Sequence, residues 1–167
     1  MIAYLDSSAL VKCYVLEAGS LDTIDMIGQA DMVVTSPVTR VEVASGLARA
    51  GRVGNVSARG ADAAYADFAG EVEAIIQVPL TDAIVTRAQG LVREHGLRGF
   101  AAIQLASALA WQQRIGSRVT LATFDTRLGQ AAGESGLAVW AAAGRRRVGL
   151  ASPTSTTRPL QPSGGNP

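Results

Sequence analysis

Met1-Ile2-Ala3-Tyr4-Leu5-Asp6-Ser7-Ser8-Ala9-Leu10-Val11-Lys12 passes within a few residues from an apolar run to an acid and then to a helical pattern. Ile2 to Leu5 is short and apolar, as a strand covered on both faces of a sheet would be. It stops at Asp6, and Ser7-Ser8 supply N-cap chemistry for a helix carrying Ala9, Leu10, Val11, Tyr14 and Val15. Strand, acid, helix is the unit from which the rest of the chain is read.

The alternation continues downstream. A helix over about Ser20 to Gln29 leads to the strand Met32-Val33-Val34-Thr35, with Ser36 as N-cap and Pro37 at the first position of a helix that runs to Ala50 and ends at Gly51. An Ala-rich helix, in one piece or two, lies between Asn55 and Gly70. Ala74 to Val78 reads as a third strand, and a helix from Thr81 or Asp82 ends at His95-Gly96. Ala101 to Arg114 is apolar almost all round, which predicts a helix packed on several sides. Val119 to Ala122 is a fourth strand, ending in Thr123-Phe124-Asp125, and Leu137 to Trp140 a short last one. Short apolar strands alternating with helices predict an α/β fold whose parallel sheet has helices on both faces.

With 167 residues, 48% of them hydrophobic, the chain has the size and apolar content of one ordinary domain. The formal net charge of +1 gives no broad basic field, so any contact with nucleic acid must come from a local patch. Lone Cys13 cannot form an internal disulfide and reads as a small buried hydrophobe in a reducing, cytoplasmic setting. The N-terminus lacks the basic start of a signal peptide, and no stretch approaches the roughly 20 apolar residues of a membrane span. A soluble protein with no membrane association is expected. The domain is expected over 1–143. The remaining 144–167, with Arg145-Arg146-Arg147 and a Pro/Ser/Thr/Gly-rich end, is expected to be a disordered tail.

Parallel sheets bind ligands outside the carboxyl ends of their strands. Asp6 and Asp125 stand at such ends, and Glu42 lies in the second turn of the helix after strand two. Val38, Val41 and Ser45 are within a turn of Glu42 and put it at the edge of the inward-facing stripe, where a carboxylate needs a partner. That partner is either a metal ion or an arginine such as Arg40 or Arg49. Hard carboxylate oxygens suit Mg²⁺ or Mn²⁺, and the chain has neither the cysteines nor the histidine pairs of a zinc site. His95, the single histidine, stands in the last turn of a helix, where it favours the helix end. Arg87, Arg98 and Arg127 read as solvated charges near the acids or on flanking helices, while Lys12 and Arg40 lie within about one turn of an acid.

Four segments in this order resemble PIN domains of the VapC toxin type: Tyr4-Leu5-Asp6-Ser7-Ser8-Ala9-Leu10-Val11-Lys12; Thr39-Arg40-Val41-Glu42-Val43; Leu97-Arg98-Gly99-Phe100 running on to Leu109; and Thr123-Phe124-Asp125 with Leu128. The resemblance spans about Met1 to Trp140. It implies a PIN-like, Rossmann-like three-layer α/β/α sandwich with Mg²⁺- or Mn²⁺-dependent endoribonuclease activity on RNA, a cognate VapB antitoxin as partner, and a homodimer. Asp6, Glu42 and Asp125 match the family's acidic, metal-binding positions, and Ser7 and Thr123 match polar residues that line the site. Lys12 and Arg40 are the cations nearest to it. The family's further acid falls at Ala101, which predicts impaired activity and leaves a non-catalytic antitoxin- or RNA-binding module as the alternative. A phosphotransfer domain is disfavoured, because the Asp-x-Asp spacing is absent at Asp6 and Lys12 is the only lysine.

Overall fold

The structure, a computed structural model, describes residues 1–140, and the tail expected over 144–167 lies outside the described residues. Its strands are β1 (Ile2–Leu5), β2 (Met32–Thr35), β3 (Ile76–Gln77), β4 (Val119–Ala122) and β5 (Ala138–Trp140). Its helices are α1 (Ser7–Tyr14), α2 (Ser20–Gly28), α3 (Val38–Arg52), α4 (Ala58–Glu71), α5 (Asp82–His95), α6 (Gly99–Ile115) and α7 (Thr126–Glu134). All strand pairs are parallel, in the order β3-β2-β1-β4-β5.

Side-chain alternation along β1 divides the core. Ala3 and Leu5 pack with Leu10 of α1, Val43 and Leu47 of α3 and Phe68 of α4. Tyr4 points to the opposite face, with Leu105 of α6, Leu121 of β4 and Leu128 of α7. These two clusters make the expected three-layer α/β/α sandwich. α6 buries an unbroken run from Gln104 to Leu109, as its all-round apolar sequence predicts. Gly96 (φ 63°) and Gly116 (φ 63°) close α5 and α6 in the left-handed conformation that glycine adopts without strain.

Several local expectations are corrected. Gly51 does not end α3. It lies inside the helix, where a Cβ would come within 3.0 Å of the Ala61 Cβ, so its smallness serves the close approach of α3 and α4. The third strand shrinks to two residues because Val72–Ala74 wind into a 3-10 turn. α3 begins at Val38, with Pro37 at the cap position and no side-chain cap from Ser36. Its buried face is Thr39, Val43, Leu47 and Ala50, while Val41 is 64% exposed. The inward-facing stripe is therefore not the expected one of Val38, Val41 and Ser45, although Glu42 is half-buried.

The strand order fixes where a site can form. The chain runs from β1 outward through β2 to β3, then returns to the other side of β1 as β4. The ends of β1 and β4 thus flank the switch in chain direction, where the connections diverge and leave a crevice. Leu5 pairs with Ala122, and the Asp6 N–H donates to the Ala122 carbonyl at 3.0 Å, so the two acid-bearing turns emerge side by side.

Candidate active site

Asp6 is 4% exposed, and its charge is compensated by hydroxyls. Oδ2 accepts from Ser8 Oγ at 2.6 Å, Thr123 Oγ1 at 2.9 Å and the Ser8 N–H at 3.3 Å, while Ser7 Oγ lies 3.4 Å from Oδ1. Asp6 is thus itself the N-cap of α1, in place of the expected Ser7-Ser8, because a carboxylate one residue ahead of the helix reaches the N–H two residues on. Ser8 also accepts from the Phe124 N–H at 2.8 Å and so ties the start of α1 to the turn after β4.

Thr123 continues this link. Its hydroxyl donates to Asp6 and accepts from the Asp125 N–H at 3.0 Å. Asp125 in turn caps α7, its Oδ1 taking the N–H groups of Arg127 at 2.8 Å and Leu128 at 3.1 Å. The recurring strand-then-acid pattern therefore has a local cause: each acid closes its strand by capping the next helix.

Glu42 approaches from α3 and takes a hydrogen bond from Gln104 Nε2 at 2.8 Å. Burial pushes its carboxyl above the ordinary range, the Gln104 bond opposes that rise, the nearby Asp6 carboxylate adds to it, and the Ser7 hydroxyl opposes it. Glu42, Ala101 and Asp125 line one open cleft of about 520 Å³ with Arg98, Gly99, Phe100 and Ile103. Asp6 and Glu42 are near enough to repel, and Asp125 joins Asp6 through Thr123.

Carboxylate oxygens are the ligand type of a hard divalent cation, and such an ion would relieve the repulsion between Asp6 and Glu42. Ala101 lines the cleft with a methyl group, which offers no ligand atom. Among the described residues, no three histidine, cysteine, aspartate or glutamate side chains are grouped closely enough to hold a metal ion.

Residues 3–134 match the PIN domain family. This chain belongs to that family. It is 32% identical over 139 residues to ribonuclease VapC45 of Mycobacterium tuberculosis strain CDC 1551 and, to the same extent, to ribonuclease VapC49 of strain H37Rv. Each alignment covers 83% of this chain and 94% of the relative, which places the chain in the VapC branch of the PIN domains. FitAcB from Neisseria gonorrhoeae has the same fold, with a TM-score of 0.57 at 18% identity over 84% of this chain and 97% of that one.

Other sequence candidates in this PIN domain pair with groups other than Asp6, Glu42 and Asp125. Lys12 Nζ turns to Glu17 Oε1 and the Ala18 carbonyl, each at 2.8 Å, and rests 4.2 Å from the centre of the Phe124 ring. The lysine thereby stitches the end of α1 to the following turn. Arg40 pairs with Glu73 at 2.9 Å on the surface, so Glu42 takes its hydrogen bond from an amide and not from this arginine. His95, expected to serve its helix end, reaches across to Glu134 at 3.1 Å and ties α5 to α7. Cys13 is half-buried, and burial pushes its thiol up to about 11, consistent with an inert packing residue. Two residues not assigned these roles from the sequence, Ser8 as a bridge and Gln104 as the partner of Glu42, belong to the site as well. The signal for Gln104 is an amide inside a helix face that is apolar apart from Ser107.

Proposed function

We propose that this PIN domain is the toxin of a toxin–antitoxin pair and an endoribonuclease that uses Mg²⁺ or Mn²⁺, impaired by Ala101. The observation that carries this reading is the cleft that Glu42 and Asp125 line at the switch point of the sheet, with Asp6 tied to Asp125 through Thr123, supported by likeness to two VapC ribonucleases. Asp6 and Glu42 would hold the ion, with Asp125 contributing from the far side of Thr123. Such an ion, when bound, polarises a phosphate and lowers the pKa of a water for in-line attack.

The chain's own residues do the positioning. Thr123 and Ser8 hold Asp6, and Gln104 holds Glu42. Exposed Arg98 offers a cation on the cleft for a neighbouring phosphate. α6 opens onto the cleft with no side-chain cap at its N-terminus, so Asp at position 101 would add a ligand and complement the helix dipole together. Ala supplies neither. A VapB-type antitoxin and a second copy of the chain are the proposed protein partners. Ala101 specifically favours a second reading, a binding module that retains antitoxin or RNA contacts without catalysis.

The experiment is RNA cleavage with Mg²⁺ or Mn²⁺ by this chain and by Ala101→Asp, alongside Mn²⁺ titration. Weak or no cleavage by the parent and a large gain in the variant are expected. Robust cleavage by the parent rules out the impairment. No cleavage by either form, with no Mn²⁺ binding, favours the binding module.

A further inference from the structure

Gln104, which holds Glu42, is wholly buried on α6, one turn beyond Ala101. Its surroundings form a continuous hydrogen-bonded net. Tyr4 Oη donates to Gln104 Oε1 at 2.9 Å, and Gln104 Nε2 donates to Thr39 Oγ1 and Glu42 Oε2, each at 2.8 Å. Thr39 Oγ1 meets Thr35 Oγ1 at 2.8 Å, and Thr35 Oγ1 donates to the Leu5 carbonyl at 2.7 Å. Tyr4, Thr35 and Thr39 are as fully buried as Gln104.

The direction of every bond in this net is determined by its ends. The Leu5 carbonyl can only accept, so it takes the Thr35 hydrogen. Thr35 must then accept from Thr39, and Thr39 must accept from Gln104. An ionised Glu42 can only accept as well, so the amide nitrogen faces both Thr39 and Glu42. Oε1 is left for Tyr4, whose hydroxyl must donate. No single bond can be reversed while Glu42 is charged, because a reversal would set two donors or two acceptors face to face in a buried site.

We infer that Gln104 is a positioning residue, which fixes the direction of the Glu42 carboxylate and joins it through Thr39 and Thr35 to the end of β1 where Asp6 begins. An amide suits this task better than an arginine or lysine. It aims a hydrogen at the carboxylate while leaving the negative charge available to a cation, whereas a buried cation would neutralise it. The net also brings together four elements, β1, β2, α3 and α6, so the geometry of the cleft is set by the core beneath it.

This inference rests on the proposed role of Glu42 in the cleft, and its test uses two readouts on the full chain. The first is the conformation of Glu42 in crystals of the metal-free parent, Gln104→Met and Tyr4→Phe. One conformer is expected in the parent, and a displaced or split carboxylate in Gln104→Met. The second is Mn²⁺ affinity, with about a 10- to 100-fold loss expected in Gln104→Met, the range for residues that orient metal ligands. Tyr4→Phe frees Oε1 and should loosen Glu42 in the same direction by a smaller factor; if Gln104→Met does not fold, this variant decides. A Glu42 that holds its place in the decisive variant overturns the inference, as does unchanged Mn²⁺ affinity where the parent binds Mn²⁺. If the parent binds no Mn²⁺, the metal reading fails separately, and Glu42 conformation alone judges the positioning role.

Discussion

Replacing Thr123 with valine keeps the shape of the side chain and removes a hydroxyl that links Asp6 to Asp125. Thr123 is 9% exposed, so water cannot readily take its place. The bond to the Asp6 carboxylate at 2.9 Å is of a kind that contributes about 1.5–3 kcal/mol. The Asp125 N–H loses its acceptor at 3.0 Å, and because that site is only partly buried the cost lies near the low end, about 1 kcal/mol. The methyl replacing the hydroxyl returns roughly 0.8 kcal/mol. Ser8 still donates twice to Asp6, so the carboxylate is not left unpaired. The net loss is about 2–3 kcal/mol, or about 5–10 °C in Tm for a domain of this size. Urea denaturation followed by tryptophan fluorescence measures it, with Thr123→Ser as the control that keeps both bonds and loses only about 1 kcal/mol with its methyl. A Thr123→Val protein within about 0.5 kcal/mol of the parent, below the cost of a lost charged hydrogen bond, would refute the account. So would a Thr123→Ser protein as unstable as Thr123→Val.

Glu42 gives a pH signature. Its folded pKa is raised by burial and by Asp6, so between the unfolded carboxylate value of about 4.3 and the higher folded value the native state binds the proton more tightly. Stability contributed by protonated Glu42 is therefore lost as pH rises through that window. Metal-free Glu42→Gln should be more stable than the parent at pH 7 and converge on it below about pH 4. Denaturation curves across pH check this, and a constant difference between the two proteins at all pH values counts against it. Lys12→Met should destabilise the fold by about 1–3 kcal/mol through loss of the Glu17, Ala18 and Phe124 contacts while leaving Mn²⁺ affinity within a few-fold. A large loss of Mn²⁺ affinity with unchanged Tm would instead return Lys12 to the cleft.

The local order of this PIN domain is written in its sequence. Apolar runs that stop at Asp6 and near Asp125 specify strands followed by capped helices, since burial on both faces and capping are decided within a few residues. Those short-range rules, with the family's four segments, were enough for the α/β/α layers. They could not assign partners. The switch point that sets β4 beside β1 depends on pairing across more than a hundred residues, and it is this pairing that lets Thr123 reach Asp6. Glu42 takes its hydrogen bond from Gln104, 62 positions away, because α3 and α6 meet over the end of the sheet, while nearby Arg40 turns outward to Glu73. Lys12, six positions after Asp6 in sequence, is drawn to the opposite end of its short helix by a carboxylate, a carbonyl and an aromatic face. Period and composition determine which face of an element is buried. Only the packed structure decides which polar group meets which, because each buried donor must find its acceptor among neighbours brought by other parts of the chain.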